Sequence, residues 1–325
     1  MTLKLKQYRV KAGLTQAKLA KAVGVSQPNY QRWESGTASV PKDKLKKLAK
    51  ALQTSVDILQ GTHPPVRAGF YERESVGEDL NYYGEVAIHF CNGGKPLLLS
   101  ISDGAFSRLH QGLQTGSAFV TVESLANQTV IIRTRAIADL YFSSEAYDDY
   151  GPEHDDYEDH VQLQMPDPRD WEIVEAIARD RRSLEDFSAE DIQRVTEQIM
   201  ITEEQYEQLV ADGLIKPENL ELEKVKNQKK TDQIFELATQ AIYQLSSGQR
   251  RRVDIEEPEE LFEAFEPLLD GFGDELDDDL IRFAVEGWYR TIFINKQAVD
   301  YVMLPTHLLN EGGIEMEAKL LDELE

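Results

Sequence analysis

The apolar positions of the first sixty residues recur every three or four residues, the spacing that places them on one face of an α-helix. Gly13 and Gly24 interrupt this pattern, and Gly24 suits the positive φ of a tight turn. Thr15 and Ser26 lie where the N-caps of two helices are expected. The pattern predicts five helices over residues 1–61, of which the second and third form a helix-turn-helix.

From residue 82 onward the hydrophobic period changes to two, which is the period of a strand with one buried face. Asn92, Gly93 and Gly94 supply a turn between two such runs. The pattern predicts a ββαββ unit over residues 81–145. Its elements are expected at Glu85–Cys91, Leu97–Ser102, Gly104–Leu113 (the helix), Phe119–Leu125 and Thr129–Phe142.

A second ββαββ-like unit is predicted over residues 239–305. The pattern of His89–Leu99 matches Tyr243–Val253 at an offset of 154, and Ile132–Ile137 matches Ile294–Val299 at an offset of 162. Internal duplication and two independent units remain alternatives, because few side chains are identical. The two units are expected to pack on each other or to pair with counterparts in a second chain. The elements expected in this unit are Ala241–Ser246, Arg251–Ile255, Leu261–Leu269 (the helix), Leu280–Glu286 and Arg290–Leu304.

The remaining segments differ from these units in composition. Residues 62–80 begin with a proline-rich stretch that favours an extended linker, and residues 146–169 are predicted to be an acidic loop. Residues 170–238 have the pattern of helices, and residues 306–325 that of an acidic C-terminal tail or helix. The predicted fold is therefore multidomain, with an all-α head followed by an α+β body.

Charge is distributed unevenly between these two parts. The chain has a net charge of −24, yet residues 1–66 hold twelve Lys and Arg against three acids, a local charge of +9. The rest of the chain therefore carries −33. Because charges are screened over about 8–10 Å in physiological salt, a basic head can attract DNA phosphates although the body is acidic.

Several motifs of the head are shared with a known family. They are Tyr8-Arg9, AGLTQAKLAKAVGVSQ, WESG and LAKAL followed five residues later by ILQG. In these motifs, residues 3–61 resemble the Cro/CI-repressor-like helix-turn-helix (XRE) family. The resemblance implies that the third helix, Gln27–Ser35, enters the major groove of DNA.

The resemblance also implies roles for individual residues. Gln16 would hold a phosphate at the N-terminus of the second helix, and Arg9 and Glu34 would form a structural pair. Lys44 is expected to neighbour a phosphate or simply to be solvated. Pro28 departs from the polar residue common at its position, so no base contact is assigned to it. The implied DNA-binding residues are Gln16, Ser26, Gln27, Asn29, Gln31, Arg32 and Lys44.

The stretch 145–160 contains eight acids, three tyrosines and two histidines. Its simplest interpretation is a solvated acidic loop. A metal site that uses His154 and His160 is an alternative, although the fixed spacing of a calcium loop is absent from the sequence. A third hypothesis is that the acidic stretch mimics DNA phosphates and covers the basic head.

The sequence contains no P-loop, dinucleotide glycine pattern, HExxH or nucleophile elbow, so no enzymatic activity, cofactor or metal is predicted. A single cysteine, Cys91, cannot form an internal disulfide. Neither an apolar run of membrane-spanning length nor a signal-type N-terminus is apparent, and a cytoplasmic location is expected.

These features favour a sequence-specific DNA-binding transcriptional regulator, in particular a dimeric repressor of a pseudo-palindromic operator. The acidic body would form the dimer and sense a small ligand or a protein. The alternative is an antitoxin- or immunity-type regulator, whose body neutralises a partner protein while the head autoregulates. An enzyme with an appended DNA-binding head is a third class, which no specific motif supports.

Overall fold

The structure is a computed structural model that describes residues 4–70, 75–146, 150–152, 157, 163–179, 182–269, 279–285 and 290–323. The head has the five predicted helices, which surround a core that includes the fully buried Leu5, Leu19, Tyr30 and Leu48. Their bounds are α1 Leu5–Lys11, α2 Gln16–Val23, α3 Gln27–Glu34, α4 Lys42–Ala51 and α5 Val56–Gln60.

The first unit of the body contains the predicted elements with one correction. The expected strand Thr129–Phe142 is two strands separated by a 3₁₀ turn at Thr134–Ala136. The first of these strands pairs with the strand before it, whereas the second crosses to the opposite edge of the unit. The turn is needed because one straight strand cannot reach both edges. The elements are β1 Tyr82–Phe90, β2 Leu97–Ser102, α6 Asp103–Thr115, β3 Phe119–Ser124, β4 Gln128–Arg133 and β5 Ile137–Ser144.

The second unit has the same order of elements as the first. The prediction for its last strand needs the same correction. The expected strand Arg290–Leu304 is divided by a 3₁₀ turn at Lys296–Ala298, which lies 162 residues after the turn of the first unit. The apolar pattern continues through both turns, and for this reason neither turn could be predicted from the pattern. The elements are β6 Gln240–Leu245, β7 Arg250–Asp254, α11 Pro258–Leu269, β8 Leu280–Ala284, β9 Thr291–Asn295 and β10 Val299–Pro305.

The two units join edge to edge within the chain and do not pack on each other, which was one of the two arrangements predicted. Pairing with a second chain, the other arrangement, stays a prediction. β4 pairs with β10, with Ile132 opposite Tyr301, and this pairing produces an eight-stranded sheet of order β5-β1-β2-β3-β4-β10-β6-β7. β8 and β9 form a separate hairpin. Arg133 of β4 strengthens the junction, because it donates hydrogen bonds to the Val299 carbonyl at 2.7 Å and to Ser246 at 2.9 Å.

Residues 170–238 are largely helical, as their pattern predicts, and the predicted C-terminal tail or helix is a helix. The buried Trp171 belongs to a hydrophobic cluster that includes Val195, Ile199 and Ile234. Its indole nitrogen donates to the carbonyl of Met165 at 2.6 Å. The helices are α7 Pro168–Ala178, α8 Ala189–Ile199, α9 Glu203–Ala211, α10 Leu220–Thr239 and α12 Thr306–Glu323.

The predicted linker between head and body forms hydrogen bonds with the body. The backbone N–H of Val66 donates to Asp167 at 2.9 Å, and the amide of Tyr82, the first residue of β1, donates to the Gly69 carbonyl at 2.7 Å. Asp167 is the N-cap of α7, so its carboxylate fixes both a helix start and the passing chain. The extended segment is thereby held against the body. No helix in the described part of the chain is long and apolar enough to cross a membrane.

Candidate nucleic-acid interface

α2 and α3 are joined by a three-residue turn whose geometry follows from its residues. Gly24 adopts a φ of 71° at the C-terminus of α2, a conformation that glycine takes without steric cost. Thr15 caps α2 by accepting a hydrogen bond from the Lys18 amide at 3.2 Å. Ser26 occupies the N-cap position of α3, but its hydroxyl makes no cap hydrogen bond, contrary to the expected capping role. This exposed hydroxyl is available to a ligand.

α3 presents one polar face to solvent and one face to the core. Gln27, Asn29, Gln31 and Arg32 are exposed, and their side chains form no hydrogen bond to any residue that the structure describes. Tyr30, on the opposite face, is fully buried. Amide and guanidinium groups in this arrangement can donate to and accept from base edges in a major groove.

The predicted structural pair of the head forms at the back of this face. Arg9 Nε donates to Glu34 Oε1 at 2.8 Å, and the hydroxyl of Tyr30 donates to the same oxygen at 3.0 Å. Arg9 is fully buried and Glu34 is 7% exposed. Burial raises the pKa of Tyr30, and the neighbouring Glu34 carboxylate raises it further. The pair fixes α1 against α3 and so orients the exposed face.

Gln16 was expected to hold a DNA phosphate, yet both of its donors face carboxylates in this structure. Its side-chain amide donates to Glu34 Oε2 at 2.5 Å, and its backbone N–H donates to Asp322 Oδ1 at 3.1 Å. Asp322 lies near the end of α12, more than 300 residues away along the chain. The N-terminus of α2 therefore binds an anion, which is the Asp322 carboxylate of the body.

Lys44 also has a partner inside the head. Its ammonium group donates to the carbonyls of Val23 and Gly24, each at 3.0 Å. A cation at this position satisfies carbonyls that the end of α2 would otherwise leave open. The contact with phosphate that the resemblance implies for Lys44 would therefore compete with this cap.

A second set of basic side chains of the head forms ion pairs with the body. Lys4 pairs with Glu172, and Lys6 pairs with Glu315 at 2.6 Å. The guanidinium of Arg9 contacts both oxygens of Asp322 at 3.2 Å. Although burial alone would raise the pKa of Glu172, the Lys4 and Arg182 charges hold it below its ordinary value. The side of the head that carries α1 is thus docked on acids of the body.

Sequence reasoning did not identify Glu172, Glu315 or Asp322 as functional residues. They are three among 56 acids outside the first 66 residues, and nothing in their local sequence distinguishes them. Only the fold brings α7 and α12 against α1.

The metal hypothesis for the acidic stretch falls on residues that the structure does not describe, since His154 and His160 lie outside the described ranges. The same holds for most of the acids in that stretch. Among the described residues, no group of three or more His, Cys, Asp or Glu is placed to hold a metal ion.

Comparison with known families supports the geometry of the head. A helix-turn-helix family model matches residues 5–59. These bounds enclose α1 to α4 and nearly all of α5. No curated protein matches the chain. The head is a helix-turn-helix domain of DNA-binding regulators, and the match does not extend to the body.

Proposed function

We propose that the protein is a dimeric transcriptional repressor that reads a pseudo-palindromic operator with α3. The observation that carries the proposal is the exposed polar face of α3 within a helix-turn-helix domain. Gln27, Asn29, Gln31 and Arg32 are the readers, because their side chains are exposed along the recognition helix. The Ser26 hydroxyl contacts a phosphate.

Dimerisation follows from the energetics of operator recognition. One helix in one groove buries little surface, whereas two half-sites about 34–36 Å apart multiply the specificity. The body forms the dimer and receives the regulatory signal. It holds the eight-stranded sheet, whose outer strands β5 and β7 each have one edge without a neighbouring strand in the sheet as described.

Selection of binding sites from random duplexes with the purified full chain tests the proposal. We expect one enriched consensus with two-fold symmetry and a half-site spacing of about 10 base pairs. An asymmetric consensus would contradict the dimer, and failure to enrich any sequence would contradict DNA reading by this head.

The same selection with variants tests the assignment of readers. Arg32→Ala and Gln27→Ala should each relax the preference at one position per half-site, because a good bidentate base contact discriminates by about 1–3 kcal/mol. Lys47→Ala, which removes an exposed charge on α4, is the matched control and should weaken binding to all sequences equally. If all three variants weakened binding without changing the consensus, the readers would lie elsewhere.

A further inference from the structure

The start of α2 lies against the end of α12. In a helix-turn-helix, the helix that precedes the recognition helix crosses the DNA backbone. The free N–H groups at the start of such a helix, together with the helix dipole, favour a phosphate at that position. α2 begins at Gln16, whose backbone N–H is the first of these groups. The chemistry of this position therefore suits an anion that accepts hydrogen bonds.

The anion at this position in the structure is the carboxylate of Asp322. Its Oδ1 atom accepts from the backbone N–H of Gln16 at 3.1 Å and from one terminal nitrogen of Arg9 at 3.2 Å. Its Oδ2 atom accepts from the other terminal nitrogen of Arg9, also at 3.2 Å. Two parallel N–H donors on the two oxygens of one carboxylate form a bidentate contact of the kind that arginine also makes with phosphate. The Asp322 carboxylate thus resembles a bound phosphate in its charge and in its donors.

This contact excludes a phosphate from the same position. One N–H group cannot donate a well-aligned hydrogen bond to a carboxylate and to a phosphate at once. The two groups also repel each other, because both are negative. α12 strengthens the repulsion, since it contains five acids and one lysine. While Asp322 is bound, the start of α2 cannot contact the DNA backbone.

Two further ion pairs hold α1 against the body beside this contact. Lys6 pairs with Glu315 of α12 at 2.6 Å, and the two side chains are 35% and 31% exposed. Lys4 pairs with Glu172 of α7, whose side chain is largely buried. With Arg9, these pairs direct three basic residues of the head to the body. The body therefore contacts the head through α1 and the start of α2, while α3 keeps its exposed polar face.

The middle of α12 is anchored in the body. Arg182 donates to Glu175 of α7 at 2.6 Å and also pairs with Glu311 of α12. Gly312 lies close to the Pro258 carbonyl at the start of α11. A carboxylate on a helix fixed in this way competes at high effective concentration with a phosphate that arrives from solution.

The last turn of α12 can open without separating the head from the body. Ala318 is the last buried residue of α12, and the residues that follow it up to Glu323 are exposed or half-buried. Lys319 in this turn pairs with Glu259 at the surface, a type of contact that adds little stability. A helix end without buried side chains frays at little cost in free energy. Release of Asp322 therefore does not require the other ion pairs between head and body to break.

From these contacts we infer that the end of α12 is an intramolecular competitor of the DNA backbone, and that the head releases Asp322 when α2 binds a phosphate. The inference rests on DNA binding by the head, as proposed above. The affinity for DNA is lowered according to the fraction of heads in which Asp322 is bound. The contact also couples the body to the head, because whatever holds or releases the end of α12 changes that fraction.

The hypothesis that the acidic stretch 145–160 covers the head is a separate one. Most of that stretch lies outside the described residues, so the hypothesis stays a prediction. The contacts of Asp322 do not bear on it.

Binding of a fluorescent mixed-sequence duplex of about 30 base pairs by the full chain tests the competition. Asp322→Ala should bind the duplex roughly threefold to tenfold more tightly than the wild type, because no head is withheld by the carboxylate. Arg9 keeps Glu34 as its partner in this variant, so no buried charge is left alone. Circular dichroism checks that the variant is folded.

Glu323→Ala is the matched control. It removes the same charge from the next residue of α12, which is exposed and whose side chain forms no hydrogen bond or ion pair with a residue that the structure describes. Because a solvated charge is screened by salt, this variant should change the affinity by less than about twofold. A general effect of charge predicts similar gains from both variants, whereas the competition predicts a gain from Asp322→Ala alone.

The outcomes separate this inference from the proposed function. Equal affinities of the two variants would overturn the competition, and so would equal affinities of Asp322→Ala and the wild type. In both cases binding of the duplex by the wild type would leave the proposed function intact. If neither the wild type nor Asp322→Ala bound the duplex, the proposed function itself would fail, and this inference with it.

Hydrogen exchange on the wild type provides a readout that needs no variant. Saturation with the duplex should accelerate amide exchange in the last turn of α12, because that turn is released. Exchange in α11 should not change, since Leu261 and Phe265 hold that helix in the core of the body. Unchanged exchange at the end of α12 with the duplex bound would overturn the release of Asp322.

Discussion

Arg9→Ala is expected to lower the free energy of unfolding of the head by about 3–5 kcal/mol, because it leaves the Glu34 carboxylate buried without its cation. Arg9 is fully buried and contacts Glu34, Asp322 and the carbonyl of Leu14. The variant therefore removes the bond between α1 and α3 and also the anchor of α12. Hydrogen exchange of α3 amides in the full chain measures the loss, since it reports the head separately from the body.

Two further variants separate charge from packing at this site. Arg9→Met combined with Glu34→Met removes both charges, and it should cost much less than Arg9→Ala because no buried charge is left alone. Arg32→Ala removes an exposed arginine of the same domain and should change stability by less than about 0.5 kcal/mol. If Arg9→Ala were as mild as Arg32→Ala, the buried pair would not hold the head together.

Gly312→Ala should destabilise the body by about 3 kcal/mol, at the upper end of what overpacking costs. A Cβ atom at Gly312 would lie 2.0 Å from the Pro258 carbonyl oxygen and 2.8 Å from Cβ of Phe262. The first neighbour is backbone, so α11 and α12 would have to separate. Because α12 also carries Asp322, the same variant should loosen the docking of the head.

Gly112→Ala on α6 is the matched control for this substitution. Its added Cβ would lie 3.4 Å from the Val120 side chain, an ordinary contact. Alanine is favoured over glycine in a helix by about 0.5–1 kcal/mol, so this variant should be neutral or stabilising. Thermal unfolding of both variants, followed by circular dichroism, measures the difference. Equal melting temperatures would show that α11 and α12 are not tightly packed at Gly312.

The head could be predicted from the sequence in nearly all its elements, because its signals are local. Thr15 caps the start of α2, and Gly24 forms the turn at its end. The spacing of the apolar residues identifies the buried face of each short helix. The order of elements in both body units follows from local signals in the same way. The turns at Thr134–Ala136 and Lys296–Ala298 could not be predicted, since they depend on which distant strand each half pairs with.

In the candidate site, too, the features set by local sequence could be predicted and those set by distant contacts could not. The exposed face of α3 can be predicted from the sequence. Once Tyr30 is assigned to the buried face, the helical periodicity places Gln27 and Arg32 on the exposed face. The partners of Gln16 and Lys44 could not be predicted in this way. Each is a long-range or inter-helix contact that competes with the DNA contact expected from the motif.

The sequence by itself determined a basic helix-turn-helix head, an acidic α+β body and the reading face of α3, because helix periodicity, capping and charge act over a few residues. The tertiary structure alone decided that the two units share one sheet, that a cavity of about 90 Å³ lies beside α10, and that Asp322 occupies the start of α2. These features arise from contacts between residues far apart in the chain. A single carboxylate among 59 acids carries no local sign of the partner it will meet.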